Sequence, residues 1–336
     1  METTRNINVS NFQQQAQALI CLRAFDTLCA KSKGRFHIVP LKGIDLMRSL
    51  YSDTLDRELH DIDLLVLPTE RVIEFTDMLR QDGYQPEFAF ALDPIALNAK
   101  KKVSMLSSSG NLPNIDVHMA LITKKFFSAT TNGFNEDTLL RVKAEDDVVC
   151  VLDDVDKWLF MATHLAFHFL TGDKWFRDLA LLLDCFTAEK NKILVQRAKQ
   201  YHLDRIVKAV LVQMKPLYPE IVDKMGLTQL LSDKNEKHFL RYVGYIVKHQ
   251  RWLGKGPRLA RYYWEFIFIC DNKQRWCSFG RLLFPSLGNM QNIYRCYAIS
   301  AIFLYIPHVI INIIGMVLFA IQYYMISCLK KEFSYD

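Results

Sequence analysis

The chain has 336 residues, half of them hydrophobic, and a formal charge of +6. That length and apolar share allow one large domain or two ordinary ones with a substantial core, and argue against intrinsic disorder. The basic residues are scattered, giving a mild attraction to polyanions. The eight cysteines, at 21, 29, 150, 185, 270, 277, 296 and 328, form no Cys-x-x-Cys pair, so neither a zinc ribbon nor a disulfide framework is indicated.

The opening "METTRNINVSNFQQQAQ" lacks the basic flank and apolar stretch of a secretory signal, so the expected location is cytoplasmic. From Asn11 to Lys31, Ala16, Leu19, Ile20, Leu22, Phe25 and Leu28 follow the spacing of an amphipathic helix that caps what comes next. Short apolar runs then alternate with turn residues. "FHIVPL", "DIDLLVL", "YQPEFAFA", "KKVSMLSS", "NIDVHMAL" and "DVVCVL" read as strands. "GIDLMRSLY" and "TERVIEFTDMLRQDG" read as helices, the second capped at Thr69 and closed at Gly83. After Asp153 the strand signals fade. "VDKWLFMATHLAFHFL", "WFRDLALLLDCF", "KNKILVQRAKQYHLDRIVKAVLVQM" and "HFLRYVGYIVKHQRWL" all carry helical periodicity. The fold class is therefore α+β, a sheet flanked by helices followed by an all-α region. Four segments follow: 1–34, 35–152, 153–295 and 296–336.

Within this frame the acidic residues raise a question. Asp61 and Asp63 stand one residue apart in an apolar run, and Asp116 stands in another. Alternation along a strand puts Asp61 and Asp63 on one face while Ile62 and Leu64 enter the core, and pairs Asp116 with His118 in the same way. If the two strands are neighbours, three carboxylates converge and repel one another unless a cation neutralises them. An all-oxygen ligand set suits Mg²⁺ or Mn²⁺. The bland alternative is a strand end salt-bridged to Arg57 or Lys42. Lys42-Gly43 leads from the first strand into a helix, where amides and a lysine can hold an anion. Asp45 and Asp56 read as solvated, and His60 as facing away from Asp61.

The order Leu41-Lys42-Gly43, helix, Arg57, Asp61-Ile62-Asp63, then Asp116-Val117-His118 resembles the polymerase-β-like nucleotidyltransferase superfamily over roughly residues 35 to 185. It is closest to the bacterial branch in which Lys-Gly replaces the Gly-Ser of the phosphate loop. The resemblance implies that Asp61, Asp63 and Asp116 bind two divalent ions, Mg²⁺ or Mn²⁺. It also implies that Asp116 activates the attacking hydroxyl and that Lys42 and Gly43 hold the triphosphate. Lys42 would then stand in, as a point charge, for the missing serine hydroxyl. Arg57 is expected either to grip a phosphate or to hold Asp61. His118 either orients Asp116 or is structural.

Farther along, His164 and His168 are four apart on one helix face, followed by Asp178. No glutamate adjoins the first histidine and no third ligand presents itself, which speaks against zinc. These residues either close over the nucleotide or form an inter-helix hydrogen-bond network with Asp178. From Cys296 through Cys328 there is no charged residue, and Arg295 and Lys330 bracket the run. That length can cross a bilayer and hold the chain to the inner face of the membrane. It also suits self-association or a hydrophobic groove. The function expected is Mg²⁺-dependent transfer of a nucleoside monophosphate from an NTP to a small molecule, glycan, RNA or protein. Lys100, Lys101, Lys102, Lys124 and Lys125 are candidates for an RNA-facing surface. The alternative is a non-catalytic, membrane-tethered binding or scaffold protein that keeps the fold.

Overall fold

The computed structural model describes residues 2–51, 56–122, 133–224 and 283–314, with short pieces at 239–240, 243–244, 247–248, 268, 280 and 317. Helix α1 (Glu2–Ser32) begins well before Asn11 and ends shortly ahead of β1 (His37–Leu41). Next come α2 (Gly43–Ser49), β2 (Asp61–Leu67), α3 (Val72–Gln81), β3 (Tyr84–Pro86), α4 (Pro94–Lys100), β4 (Lys102–Ser107) and β5 (Asn114–His118). These strands form one mixed sheet in the order β1-β2-β5-β4-β3. β2 and β5 run parallel, whereas β1 with β2, β5 with β4 and β4 with β3 are antiparallel.

Most of the expected elements form, with local corrections. "YQPEFAFA" contributes only β3 and then a 3-10 turn at Ala89–Leu92. Thr69 does not cap the next helix. It opens a 3-10 turn, Thr69–Arg71, whose N-cap is Pro68 and which has no side-chain cap bond. α4 was not signalled by periodicity. It starts because Asp93 accepts hydrogen bonds from the Ile95 and Ala96 amides at 2.9 and 3.3 Å and Pro94 occupies the first turn. After α5 (Phe134–Leu140), the run "DVVCVL" leaves the main sheet, giving β7 (Cys150–Val151) paired with β6 (Lys143–Ala144) and one bridge from Val149 to Ile38.

The helical half comprises α6 (Asp154–Phe167), α7 (Asp173–Asp184), α8 (Ala188–Gln200), α9 (Asp204–Met214) and α10 (Pro219–Asp223). The single helix expected over "KNKILVQRAKQYHLDRIVKAVLVQM" is two, broken at Tyr201–Leu203, where His202 takes φ 55°. The helix expected over "HFLRYVGYIVKHQRWL" lies largely outside the described residues, as do Lys124 and Lys125. Beyond it come α11 (Leu287–Tyr294) and α12 (Ala298–Phe303), with helix again over residues 305–314.

The sheet is buried on both faces. Ile38, Ile62, Leu64, Val66, Ile115 and Val117 pack with Cys21, Phe25 and Leu28 of α1 and Phe75 and Leu79 of α3. Val39, Leu41 and Leu65 face the opposite core, built on Trp158, Leu159 and Leu165 of α6 and the helices after it. Each large side chain fully withdrawn from water contributes about 1.5–3 kcal/mol, so the two clusters dominate stability.

Two buried ion pairs tie the sheet to the helical half. Asp45, expected to be solvated, is 3% exposed and meets Lys157 Nζ at 2.8 Å, because α2 turns its Gly43–Met47 face inward. Burial raises its pKa against the pull of Lys157. Asp56 is exposed, as expected.

Among the described residues no helix is long and apolar enough to cross a membrane, and the end of the uncharged run, from 318 on, falls outside them.

Candidate active site

Strand pairing decides which side chains meet. In the parallel ladder Asp63 stands opposite Asp116 and Leu65 opposite His118, while across β4 Ser104 faces Asp116 and Lys102 faces His118. Directly opposed residues share a sheet face. Asp63, Asp116, His118, Lys102 and Ser104 are therefore gathered on one side. Ile62, Ile115 and Val117, which alternate with them, anchor that patch from behind.

One potential ligand atom from each of Asp63, Asp116 and His118 lies within 4.8 Å of the others. Asp63 is 6% exposed, and its Oδ1 is held by Lys42 Nζ at 2.7 Å and by His118 Nε2 at 2.9 Å. His118 is expected to orient Asp116 or to be structural, and its observed contact is a hydrogen bond to Asp63. Lys102 pairs with Asp116. Two lysines therefore supply part of the neutralising charge, and the Lys42 salt bridge offered as the alternative to a divalent ion is present at Asp63. Asp61 lies on the same strand face but at the exposed start of β2, outside that close group.

The charges shape one another. Burial by itself would raise Asp63, yet Lys42 and His118 hold its carboxyl well below the ordinary value. Asp61 is pushed up, first by burial and then by Asp63, against Lys42. Burial lowers His118 despite its bond to Asp63, which favours a neutral imidazole. Lys102 would be lowered by burial, but Asp116 and Asp63 raise it.

Lys42 reaches Asp63 from a backbone at φ 48°, ψ −115°, a conformation that non-glycine residues seldom adopt and one held here by its surroundings. Gly43 is required for a separate reason. A Cβ there would lie 2.3 Å from Leu59 Cδ1 and 2.9 Å from an Arg57 guanidinium nitrogen. Arg57 is engaged by Asp178 and not by Asp61. Its Nε and Nη2 donate to both Asp178 oxygens at 2.8–3.2 Å, and Tyr51 donates to the same carboxylate at 2.7 Å. Asp178 therefore serves as a latch to Arg57 and Tyr51, while the rings of His164 and His168 pack against Trp175. The His164 and His168 rings lie 4.6 Å apart, tilted by 58°, with Trp175 at 5.3 and 4.7 Å from them. Burial, then Lys42 and His168, push His164 well below the usual imidazole value.

Beside the acidic group opens a cleft of about 480 Å³. Lys42, Lys102 and His118 form its floor, Phe160, Thr163 and His164 of α6 its wall. A model of the uncharacterised nucleotidyltransferase family matches residues 2–219. The chain belongs to this family. No curated protein and no solved structure matches it. This nucleotidyltransferase-family chain carries two carboxylates and an imidazole that could hold a metal ion, and the imidazole and the two lysines paired with those carboxylates line the cleft.

Sequence reasoning had grouped Lys102 only with surface lysines. The available signal was alternation in "KKVSML", which places Lys102 and Ser104 on one face. Phe160 and Thr163 gave no separable signal, since their spacing is that of any buried helix.

Proposed function

We propose that this chain is a divalent-metal-dependent nucleotidyltransferase that moves a nucleoside monophosphate from an NTP to an acceptor hydroxyl or phosphate. The observation that carries this reading is the in-register pairing of Asp63 with Asp116, joined by His118, beside Lys42 in a member of a nucleotidyltransferase family. The two carboxylates suit a hard ion, and the imidazole, whose neutral form is favoured, adds one nitrogen donor. Asp63, Asp116 and His118 would hold Mg²⁺ or Mn²⁺, with Asp61 at the mouth available to a second ion. Bound there, the metal supplies a lowered pKa for the attacking hydroxyl and neutralisation of the departing pyrophosphate. Lys42 presents a positive charge to the phosphates, while His118 fixes the rotamer of Asp63. Asp116 sits where it can take the acceptor's proton. The α6 wall limits water around the reacting groups.

The test is titration with Mg²⁺-NTPs and incubation with each α-labelled NTP and fractionated lysate, comparing wild type with Asp61→Asn/Asp63→Asn. Wild type binds nucleotide and labels one fraction, and the double variant does neither. Equal binding with no transfer in either protein overturns the reading. The same assay addresses the scaffold alternative, which draws support from Lys42 and Lys102 stabilising the acidic group without an ion.

We also infer that the C-terminal segment contacts an apolar phase without the described helices crossing it. Helix 305–314 is polar inward and apolar outward. His308 and Asn312 are buried and bonded to each other at 2.7 Å, and Tyr294 meets His308 at 3.0 Å. Ile306, Ile310, Ile311 and Ile314 are more than half exposed. That inversion, continued by an uncharged sequence up to Lys330, supports an interfacial seat at a lipid surface with cationic flanks.

A further inference from the structure

The matched family region ends at residue 219, yet the cleft has a wall from far beyond it. α11 lies against α4 at backbone distance. A Cβ on Gly288 would sit 2.3 Å from the Ile95 carbonyl oxygen and 2.8 Å from Ala99 Cβ. Asn292 Nδ2 donates to the Ala96 carbonyl at 3.0 Å and to that of Gly288 at 2.7 Å. Small residue and amide together seat the helix, so the position of its cleft-facing residues is fixed.

Two of the groups lining this side of the cleft are unsatisfied. Asn289 Oδ1 is buried and has no hydrogen-bond partner among the described residues, and Asn289 lines the cleft. Such an acceptor costs about 1–3 kcal/mol unless something donates to it. Lys100, at the end of α4, is partly buried and makes no ion pair among the described residues, whereas Lys42 and Lys102 are engaged by Asp63 and Asp116. Lys100 lies within electrostatic reach first of Glu87, which lines the same cleft, and then of Lys102 and Asp116. Lys42, Lys102 and His118, the direct partners of the acidic group, line one cleft with Lys100 and Asn289, and its volume falls in the range of small-ligand sites. A nucleic-acid strand or a folded protein does not fit in that volume.

We propose that Asn289 and Lys100 form a nucleotide-reading wall contributed by the C-terminal segment, Lys100 facing the phosphates and Asn289 accepting a hydrogen bond from the nucleoside. This rests on the nucleotidyltransferase reading and adds the residue that discriminates among nucleotides. The donor to Asn289 is a ribose hydroxyl or an exocyclic base amine, which share the chemistry of an N–H or O–H aimed at an amide oxygen. A site built to pair with such a group strongly rejects the analogue that lacks it.

The experiment is calorimetric titration of the full chain, with Mg²⁺, using the four common NTPs, their 2′-deoxy forms and inosine triphosphate. Wild type loses at least about tenfold in affinity either when the 2′-hydroxyl is removed or when the amine-bearing base is exchanged for its keto counterpart, ATP to ITP or CTP to UTP. Asn289→Leu binds each member of the discriminated pair equally and weakly. Lys100→Met weakens all nucleotides alike and keeps the discrimination. Gly288→Val, which unseats α11 while leaving the acidic group untouched, reproduces Asn289→Leu with an unchanged circular dichroism spectrum. If wild type binds and transfers nucleotide but Asn289→Leu discriminates as wild type does, this inference falls and the nucleotidyltransferase reading stands. If wild type binds no nucleotide at all, both fall.

Discussion

Arg57 is the residue for which the structure and the family resemblance make opposite forecasts. In the structure Asp178 is fully buried and its carboxylate is held by Arg57 through Nε and Nη2 and by the Tyr51 hydroxyl. Arg57→Met removes the only guanidinium on that carboxylate among the described residues and leaves a buried charge with the Tyr51 hydroxyl as its donor. Breaking a buried pair from one side costs about 3–5 kcal/mol, a large share of the roughly 5–15 kcal/mol that holds a domain folded. Urea unfolding followed by fluorescence is well placed to read this, since Trp158 is fully buried and its indole donates to the Leu179 carbonyl at 3.2 Å on the same α7 that carries Asp178. Arg57→Met/Asp178→Leu should recover most of the loss, with a coupling of at least about 2 kcal/mol between the two sites. Were Arg57→Met to unfold within about 1 kcal/mol of wild type while losing nucleotide affinity, the latch would be wrong and Arg57 would be a phosphate ligand.

Further tests follow from other contacts. Gly43→Ala drives a methyl into Leu59 and Arg57, and should destabilise by about 1–3 kcal/mol, with Leu59→Ala partly relieving the clash; a neutral Gly43→Ala in thermal unfolding would show that the close approach is absent. His164 is pushed below its ordinary value, so the unfolded chain takes up the proton first. Its contribution to stability is whole above about pH 6.5 and shrinks as pH falls toward the folded value, by up to roughly 1.4 kcal/mol per pH unit. His164→Leu should flatten part of the decline between pH 7 and 5, leaving the share of His118, and an unchanged slope would contradict a neutral buried imidazole. Ile306→Asp/Ile310→Asp should cut co-sedimentation with vesicles of one-third phosphatidylserine without altering the melting temperature; equal sedimentation of both proteins would rule out a lipid seat on that helix.

How much of this was legible in the sequence depends on the range of the interaction that decided it. "DIDLLVL" and "NIDVHMAL" carry period-two alternation, and once both are strands the pairing of Asp63 with Asp116 needs only that they be neighbours. The partners of those carboxylates were less accessible. Lys42 and Lys102 come from two other strand ends, and nothing in "PLKG" or "KKVSML" says which acid each will meet. Asp45 was misread because a lone acid in a helix looks solvated until Lys157, more than a hundred residues later, is placed against it. The pairing of Arg57 was out of reach for the same reason, its partner Asp178 lying in the helical half. The α11 wall had no signal at all, since Gly288, Asn289 and Asn292 form no pattern apart from their seat on α4.

The charge arrangement at the centre has a consequence for how an ion would enter. Lys42 and His118 share Oδ1 of Asp63, so a metal approaching that oxygen competes with an ammonium already 2.7 Å away. Lys42 sits on a strained backbone between the end of β1 and a glycine that admits no side chain, so its main chain has little room to follow a retreating side chain. Its four-carbon stem, by contrast, is flexible and can swing the ammonium from carboxylate to phosphate. Metal alone should then bind weakly, because it must displace the lysine without giving it a new partner. Metal with a triphosphate should bind far more tightly, because the phosphates receive the ammonium that Asp63 releases. Manganese titration of the wild type with and without a non-hydrolysable NTP should therefore show strong positive coupling. In Lys42→Met, metal alone should bind more tightly and the coupling should shrink. Coupling of the same size in both proteins would mean that the lysine does not guard the site.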